Sequence, residues 1–304
     1  MSSARRERVP SLDAGSRLDV FLARREPGES RSRLARLIGA GGVCVNGRVV
    51  PASHRVRDGD EIEWRLPITW IEPTGGPIAE SIPLRILHQD SAIIVIDKAS
   101  GMVVHPAPGH NTGTLVNALV ALDPGLRIGD EAWPGIVHRL DRGTSGVIVI
   151  ARHDRALRNL QAQFAARGVA KRYVALVQGV PRHATATIDA PIGRDPRDRK
   201  RMAVVSNGRP SVTRYTVLER FARTSLVECA PETGRTHQIR VHMASIGHPL
   251  VGDGVYGTVD ERLDRPFLHA AILTFTHPDT GLPVTFTSPL PDDLRRYLEV
   301  ARGS

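Results

Sequence analysis

Short runs of apolar residues, many of them β-branched, recur along most of the chain and are separated by turn-forming residues. A run such as residues 147–150, which contains only Val and Ile, predicts a strand that is buried on both faces. Where apolar residues recur three and four positions apart, a helix is expected. Many strands without regular strand–helix alternation favour an α+β fold with a mostly antiparallel sheet. The expected strands are 84–88, 92–97, 147–151, 172–178, 212–221, 225–230, 269–275 and 283–287, and the expected helices are 113–122, 153–167, 236–246 and 292–301.

The N-terminal part of the chain has a different pattern. Apolar residues fall at helical spacing after Ser16, which is the expected N-cap, and a second short helix is expected to begin at Ser30. Two apolar runs on either side of Asn46 and Gly47 predict a β-hairpin, followed by a strand at 61–64. The predicted organisation is a mobile basic tail over 1–10, a small α/β domain over 11–66, a linker rich in Pro, Gly and Thr over 67–80, and a large domain over 81–304.

The charge balance narrows the class of partner. The 304-residue chain has a formal net charge of +9 and a pI near 10.4, which suits a polyanion such as RNA, DNA or an anionic membrane. Membrane is the least favoured of the three, because no apolar run reaches the roughly 18 residues of a spanning helix. The N-terminus has charge but no apolar core, so a secretory signal is not expected. Cys44 and Cys229 stand alone in the sequence, which favours a reducing, cytoplasmic setting without disulfides.

The segment HRLDRGTSG, residues 138–146, places Asp141 between Arg139 and Arg142. Apolar runs lie on both sides of it, so the carboxylate is expected on a turn that leads directly into a buried strand. Such a turn is a rigid support for a reacting group. An isolated Asp before Gly, Thr and Ser is more often a turn or cap residue. The whole segment, however, resembles the catalytic-aspartate motif of the RluA-type pseudouridine synthases, which isomerise uridine in structured RNA.

Three later segments resemble the same family and follow its order: KRYVALV at 171–177, ETGRTHQIRVH at 232–242 and FLHA at 267–270. The similarity spans roughly residues 80 to 300, and His138 favours the RluA type. The segment 191–256 is most similar to the RluD-like members, which act on large-subunit ribosomal RNA. Residues 11–66 resemble the αL-type RNA-binding domain. The resemblance implies a mixed sheet with a central cleft in the catalytic domain.

The resemblance also implies roles for individual residues. Asp141 is the catalytic carboxylate, and Arg240 is the cation that keeps it ionised in a partly desolvated site. Tyr173 stacks on the extruded uracil, and Leu268 forms the opposite wall. Arg139 occupies the space that the extruded base leaves. The residues alone leave simpler alternatives open: a core tyrosine, apolar packing for the leucine, a salt bridge for Arg139 and a surface position for Arg240.

Two further groups of basic residues are candidates for RNA contact. Arg31, Arg33 and Arg36 lie on the polar face of the second predicted helix, where they are expected to contact phosphates without reading bases. The alternative is a solvated charged face. A second basic run, residues 194–201, is expected to be a loop that contacts phosphates or covers the cleft, with a solvated, disordered segment as the alternative.

No metal site and no cofactor are expected. The His residues at 237 and 242 are not spaced as the helical metal-binding pair is, and the other candidates do not form a compact set of four ligands. The chain also lacks a glycine-rich phosphate-binding fingerprint. The other residues of ligand type in this region are His248, His269 and Cys229.

The predicted function is isomerisation of specific uridines to pseudouridine in large-subunit (23S) ribosomal RNA, by a cytoplasmic, monomeric enzyme. Transfer RNA is the alternative substrate. A non-catalytic ribosome-assembly factor and a nucleoside-cleaving hydrolase are the alternatives from other classes; the hydrolase requires a second carboxylate near Asp141. Attack of Asp141 on C1′, attack on the uracil ring and proton abstraction from C2′ all use the same carboxylate, and the sequence leaves the three open.

Overall fold

The computed structural model of the chain describes residues 4–27, 29, 31–66, 77–106, 111–126 and 134–303. The chain divides into two compact units, Met1–Gly76 and Pro77–Ser304. Of the expected linker, residues 67–76 lie outside the described residues and 77–80 belong to the second unit.

The first unit is a four-stranded sheet with two helices. The helices pack their apolar faces on the sheet, around Phe21, Leu34 and Ile62, which are fully buried. The predicted hairpin forms, and the positive φ angles of Asn46 (50°) and Gly47 (74°) are those of a tight two-residue turn. The elements are β1 (Arg5–Arg8), a 3-10 turn (Ser11–Asp13), α1 (Leu18–Arg25), α2 (Arg31–Gly39), β2 (Val43–Val45), β3 (Arg48–Val49) and β4 (Glu61–Trp64). The strands follow the order β1-β4-β2-β3.

Two expectations about this unit are wrong. The basic segment at the N-terminus is not a mobile tail, because Arg5–Arg8 forms β1 and pairs antiparallel with β4. Acidic residues on β4 attract it: Arg6 lies 3.0 Å from Glu63. Ser16 is not the N-cap of α1, since Arg17 holds that position without a side-chain cap. Ser30, the expected start of the second helix, lies outside the described residues.

The second unit carries most of the regular structure. Its elements are β5 (Arg85–Gln89), β6 (Ile93–Lys98), α3 (Leu115–Leu122), β7 (Gly135–Ile136), β8 (Ser145–Ala151), α4 (Asp154–Ala165), β9 (Ala170–Gln178), β10 (Thr185–Asp189), β11 (Ile192–Arg194), β12 (Met202–Val204), β13 (Val212–Arg220), β14 (Thr224–Pro231), α5 (Gln238–Ser245), β15 (Leu268–Thr276), β16 (Pro283–Thr287) and α6 (Asp292–Arg302).

A large mixed sheet forms the centre of this unit. Its strands follow the order β10-β13-β14-β9-β15-β8-β6-β5, with β16 beside β15 and β7 beside β8. Among the described strands, β15 and β8 pair in parallel and the other neighbours are antiparallel. This confirms the α+β class. The prediction missed β7, β10, β11 and β12, which are short and, apart from Gly135, Ile188 and Ile192, contain no buried residue.

The parallel junction of β15 and β8 requires a glycine. Gly146 pairs with Ala270 and has a φ angle of 113°. A Cβ atom at this position would lie 2.2 Å from the carbonyl oxygen of Ala270. The two backbones therefore approach closely where the loop containing Asp141 enters β8. Within the described part of the chain, no helix has the length and apolar character needed to cross a membrane.

Candidate active site

The five site residues that were predicted in the second unit lie on one cavity. Its volume is about 490 Å³, and its lining includes Arg139, Asp141, Tyr173, Arg240 and Leu268. They come from the loop before β8, from β9, from α5 and from the start of β15. The fold thus brings residues that are as many as 129 positions apart in the sequence (139 to 268) to the lining of one cavity.

The loop that carries Asp141 is fixed by its own turn and by its neighbours. The N–H of Thr144 donates to the Asp141 carbonyl oxygen at 3.0 Å, and the side chain of Leu140 is buried. The N–H of Gly101 donates to the Arg142 carbonyl oxygen at 2.8 Å. The loop is therefore attached to the protein on both sides of Asp141, as expected for a rigid support.

Lys98 lies behind this loop and was not predicted as a site residue. It is only 1% exposed, and its Nζ donates to the carbonyl oxygens of Ala99 and Met102 at 2.8 and 2.9 Å and lies 3.5 Å from that of Arg142. Burial lowers the pKa of Lys98 to about 7, and the negative charge of Asp141 acts in the opposite direction. The ammonium group of Lys98 therefore lies close enough to the Asp141 carboxylate for the two charges to attract each other.

Arg265 holds the other end of the loop and was also missed by the sequence reasoning. It is buried, and its Nη1 donates to the Gly143 carbonyl oxygen at 3.2 Å and to Ser145 Oγ at 3.0 Å. Two further hydrogen bonds, of 2.6 and 2.9 Å, join it to Asp293 of α6. Ser145 Oγ also lies 2.9 Å from His269 Nδ1. Isolated arginines in a loop give no sequence signal of such a role.

His138 supports the loop from the strand side. Its Nε2 accepts a hydrogen bond from the N–H of Val149 at 3.1 Å, and its ring stacks on Phe164 with the centroids 4.7 Å apart. Burial lowers the pKa of His138 to about 3. The ring is therefore neutral at physiological pH and acts as a structural hydrogen-bond acceptor.

Arg240 contacts Asp141, but another carboxylate is its main partner. Its Nη1 lies 3.7 Å from Asp141 Oδ2, whereas its Nε and Nη2 donate to Asp253 at 2.7 and 2.8 Å. Burial raises the pKa of Asp253, but the hydrogen bonds and charge of Arg240 outweigh it and lower the pKa overall. The alternative that Arg240 is a surface residue is wrong, because only 8% of its side chain is exposed. The sequence reasoning missed Asp253.

Tyr256 packs against Arg240. Its ring centroid lies 5.0 Å from the guanidinium carbon of Arg240, within the range of a cation–π contact. Its hydroxyl accepts a hydrogen bond from the N–H of Met202 at 3.0 Å and lies 2.8 Å from His237 Nδ1. Arg201 lies near the same ring, 5.2 Å from its centroid. Tyr256 therefore connects the cavity to the β11–β12 hairpin.

Tyr173 and Leu268 come from neighbouring strands. Tyr173 is half-buried on β9, opposite Ala270 of β15, and Leu268 is buried near the start of β15. Burial, followed by the charge of Asp141, raises the pKa of Tyr173, so its hydroxyl stays protonated. Lys171, two residues earlier, also lines the cavity, and burial lowers its pKa to about 8.

Arg139 and most of the basic run 194–201 are exposed. Arg139 is exposed, and among the described residues no carboxylate pairs with it, so the salt-bridge alternative finds no support. The basic run is the turn of an ordered hairpin rather than a disordered segment: the N–H of Asp195 donates to the Arg201 carbonyl oxygen at 3.1 Å. Its basic side chains are thereby attached to a fixed backbone.

In the first unit, two of the three predicted arginines make ion pairs. Arg31 donates to the buried Asp19 at 2.8 Å, and Arg33 lies 3.3 Å from Glu29. Arg36 is exposed on the same helix. Part of this basic row therefore stabilises its own unit, a role that the helical pattern did not distinguish from phosphate contact.

The histidines that were considered as metal ligands have other partners. His242 Nδ1 lies 2.8 Å from Thr213 Oγ1, and His269 Nε2 lies 3.0 Å from the Ser288 carbonyl oxygen. Within the described ranges no group of His, Cys, Asp and Glu is arranged to hold a metal ion.

Chemically, the site offers a carboxylate beside buried cations, an aromatic and an aliphatic wall, and basic residues at its rim. These features suit a reaction at one residue of a polyanionic substrate, with Asp141 as the candidate reacting group. Comparison with known proteins identifies the class. The RNA pseudouridylate synthase family model matches residues 92–245, and the S4 domain model matches residues 16–62.

Individual relatives agree with the family match. An uncharacterized RNA pseudouridine synthase of Chloroflexus aurantiacus is 54% identical over 292 residues, covering 95% of this chain and 91% of that protein. Ribosomal large subunit pseudouridine synthase D of Nitrosomonas europaea is 46% identical and covers 97% of this chain and 87% of its own. The solved structure of human RNA pseudouridylate synthase domain containing 1 superposes with a TM-score of 0.57 at 29% identity, covering 74% of this chain and 97% of that chain. The chain belongs to the RluA-type RNA pseudouridine synthase family and carries an N-terminal S4 domain.

Proposed function

We propose that this enzyme forms pseudouridine at specific positions of large-subunit (23S) ribosomal RNA, in the cytoplasm and as a monomer, with Asp141 as its catalytic carboxylate. The observation that carries the proposal is the placement of Asp141 on a cavity that also holds Tyr173, Arg240 and Leu268. The substrate is supported by relatives whose names specify the large ribosomal subunit and by the net charge of +9.

In the reaction, the bond between ribose C1′ and uracil N1 breaks, the uracil turns within the site, and C1′ joins C5. The proton on C5 is lost and N1 gains one, so the product is an isomer of the substrate. Asp141 acts at the ribose or the ring, with Arg240 Nη1 3.7 Å from its Oδ2 to stabilise the carboxylate. Tyr173 and Leu268 hold the detached base between them.

The target uridine must leave its stack, at a cost of a few kcal/mol. Arg139 is suited to fill the vacated space, because it is exposed at the cavity and a planar guanidinium stacks on bases while contacting phosphate. Arg36 of the S4 domain contacts phosphates and so helps to position the RNA. Arg31 and Arg33 add phosphate contacts through the N–H groups that their ion pairs with Asp19 and Glu29 do not use.

The nucleoside-hydrolase alternative needs a second carboxylate that can activate water. Asp253 is fully buried and accepts hydrogen bonds from Arg240 and from the N–H groups of Val255 and Tyr256. Glu232, which lines the cavity, pairs with Arg214 at 3.1 Å. Both carboxylates are thus engaged, which favours isomerisation over hydrolysis.

The test is pseudouridine mapping by carbodiimide modification and primer extension on unmodified large-subunit ribosomal RNA and transfer RNA. Wild-type protein is compared with Asp141→Asn and with the control Asp292→Asn, whose carboxylate is 73% exposed at the start of α6. New stops in ribosomal RNA with wild type and control, but not with Asp141→Asn, are expected. Stops confined to transfer RNA would overturn the substrate. Equal stops with Asp141→Asn would overturn the catalytic role.

A further inference from the structure

His237 has a backbone conformation that is rare for its residue type. It is the N-cap residue of α5, with φ 56° and ψ 21°, in the left-handed region. Only a few per cent of non-glycine residues adopt this conformation, with Asn, Asp and His enriched among them. Such residues cluster at functional sites, where the surrounding structure supports the strain. His237 also lines the cavity that contains Asp141.

The hydrogen bonds of the Tyr256 hydroxyl favour one tautomer of His237. The Tyr256 hydroxyl accepts the N–H of Met202 at 3.0 Å and lies 2.8 Å from His237 Nδ1. A hydroxyl has one proton to donate and two lone pairs that accept. If it accepted from Nδ1 as well as from Met202, its own proton would have no partner among the described residues, so donation to Nδ1 is the arrangement that pairs every donor. Nδ1 is then the acceptor, so a neutral imidazole carries its proton on Nε2. Burial lowers the pKa of His237, which favours the neutral ring.

We propose that His237 is a substrate-binding residue, which Tyr256 holds in the tautomer with its proton on Nε2, and that Nε2–H donates a hydrogen bond to a carbonyl oxygen of the extruded uracil. The proposal rests on the proposed function, since it requires an RNA uridine in the cavity. Nδ1 is occupied by Tyr256, so Nε2 is the ring nitrogen that remains for substrate.

The chemistry of the base favours this donor. When the C1′–N1 bond breaks, negative charge develops on the uracil and spreads to its carbonyl oxygens. A preorganised N–H beside such an oxygen stabilises that charge, and removal of one such donor typically lowers the rate about 100- to 1000-fold. A neutral donor suits the base, whereas the guanidinium groups at the rim, such as Arg139 and Arg235, suit phosphates.

Tyr256 is the positioning residue in this arrangement. The N–H of Met202, at the start of β12, fixes the hydroxyl, and Arg240 and Arg201 lie near the ring. The β11–β12 hairpin, through Met202, and Arg240, which Asp253 holds, both contact Tyr256. Both therefore help to position the side chain that orients His237.

The tautomer can be measured without any RNA. Long-range proton–nitrogen correlation spectra of ¹⁵N-labelled wild-type protein are expected to show His237 as the Nε2–H form. Tyr256→Phe is expected to lose this preference. The matched control is Tyr297→Phe, which removes a hydroxyl that also makes two hydrogen bonds, to Arg262 and Asp260, outside the cavity. An Nδ1–H form in the wild type would overturn the proposal, whether or not the substrate is correctly proposed.

The contact with substrate is tested with His237→Asn. Asn tolerates the left-handed backbone, and its amide lies near the position of Nδ1, but it places no group at Nε2. We expect an unchanged melting temperature and a loss of about 100-fold in the rate of pseudouridine formation. Activity is assayed on ribosomal and transfer RNA transcripts together, so that a wrong substrate assignment does not hide the effect. Wild-type activity in His237→Asn would overturn the proposal.

A binding experiment then identifies the contacted group. One RNA carries the target uridine and a second carries an abasic ribose at that position. If His237 contacts the base, His237→Asn binds the first RNA more weakly and the second as tightly as wild type does. Equal weakening for both RNAs would assign the contact to the backbone and overturn the uracil assignment.

Discussion

Arg240 holds the fully buried carboxylate of Asp253 with two hydrogen bonds of 2.7 and 2.8 Å. The same guanidinium extends Nη1 toward Asp141, 3.7 Å away. One arginine therefore combines two functions: it neutralises a structural carboxylate and is itself oriented by that carboxylate toward the candidate catalytic one. Asp253 in turn accepts the backbone N–H groups of Val255 and Tyr256 at 3.0 and 3.2 Å, so the orientation is fixed by the fold.

Arg240→Met should lose both activity and stability. It leaves Asp253 buried without its charge partner, which costs about 3–5 kcal/mol, and it removes the cation beside Asp141. Chemical denaturation and pseudouridine assays measure the two effects. The double variant Arg240→Met/Asp253→Leu should recover much of the stability, because an apolar pair of similar volume can replace a buried ion pair, without recovering activity. A stable, active Arg240→Met would contradict the pairing.

The contributions of the Tyr173 ring and of its hydroxyl can be tested separately. Tyr173→Phe keeps the stacking surface and should bind substrate nearly as wild type does, with a reduced rate if the hydroxyl contacts the base or ribose. Tyr173→Leu loses the aromatic wall, and a stacked base contributes about 1–3 kcal/mol, so the KM for RNA should rise. Steady-state kinetics separate the effects. Indistinguishable kinetics for Leu and Phe would contradict a stacking role.

Lys98 should make stability depend on pH. Its pKa is lowered by burial to about 7 in the folded protein, against 10.5 in the unfolded chain. Between these values the unfolded chain binds more protons than the folded one, so the free energy of unfolding rises with pH. Below pH 7 Lys98 is protonated in both the folded and the unfolded state, so the free energy of unfolding does not rise with pH there. The difference in unfolding free energy between wild type and Lys98→Met should therefore increase from pH 7 to 10, on the order of 1 kcal/mol per pH unit.

Urea denaturation at a series of pH values measures this difference directly. Lys171, whose pKa is about 8, is present in both proteins, so its contribution cancels. Two parallel curves between pH 7 and 10 would show that Lys98 is not desolvated in the folded state.

Gly146→Ala should destabilise the second unit and displace the loop that carries Asp141. A Cβ at this position meets the Ala270 carbonyl oxygen at 2.2 Å, in addition to the strain of a φ angle of 113°. Gly281→Ala is the matched control, because its φ angle is 70° and a Cβ there has nothing within 4 Å. A loss of more than about 2 kcal/mol is expected for Gly146→Ala, and about 1 kcal/mol for the control. Equal losses in thermal unfolding would argue against the close approach.

The local patterns of the sequence determined most of the secondary structure. The Val and Ile run at 147–150 lies within β8, where every residue is buried, and the Asn46–Gly47 turn joins β2 to β3. These elements follow from alternation, continuity and turn chemistry, which act over a few residues. The motif resemblance also named residues that the fold brings to one cavity, including Asp141, Tyr173 and Arg240.

Pairing between distant residues was decided only by the tertiary structure. Arg5–Arg8 became a strand because acidic β4 lies beside it, and Arg31 is engaged by Asp19, twelve residues earlier. Strand order and helix packing also bring three further residues to the site, which are Asp253, Tyr256 and Lys98. The sequence specifies which residues can form an ion pair or a hydrogen bond, but the choice among partners depends on distances that exist only after the chain has folded.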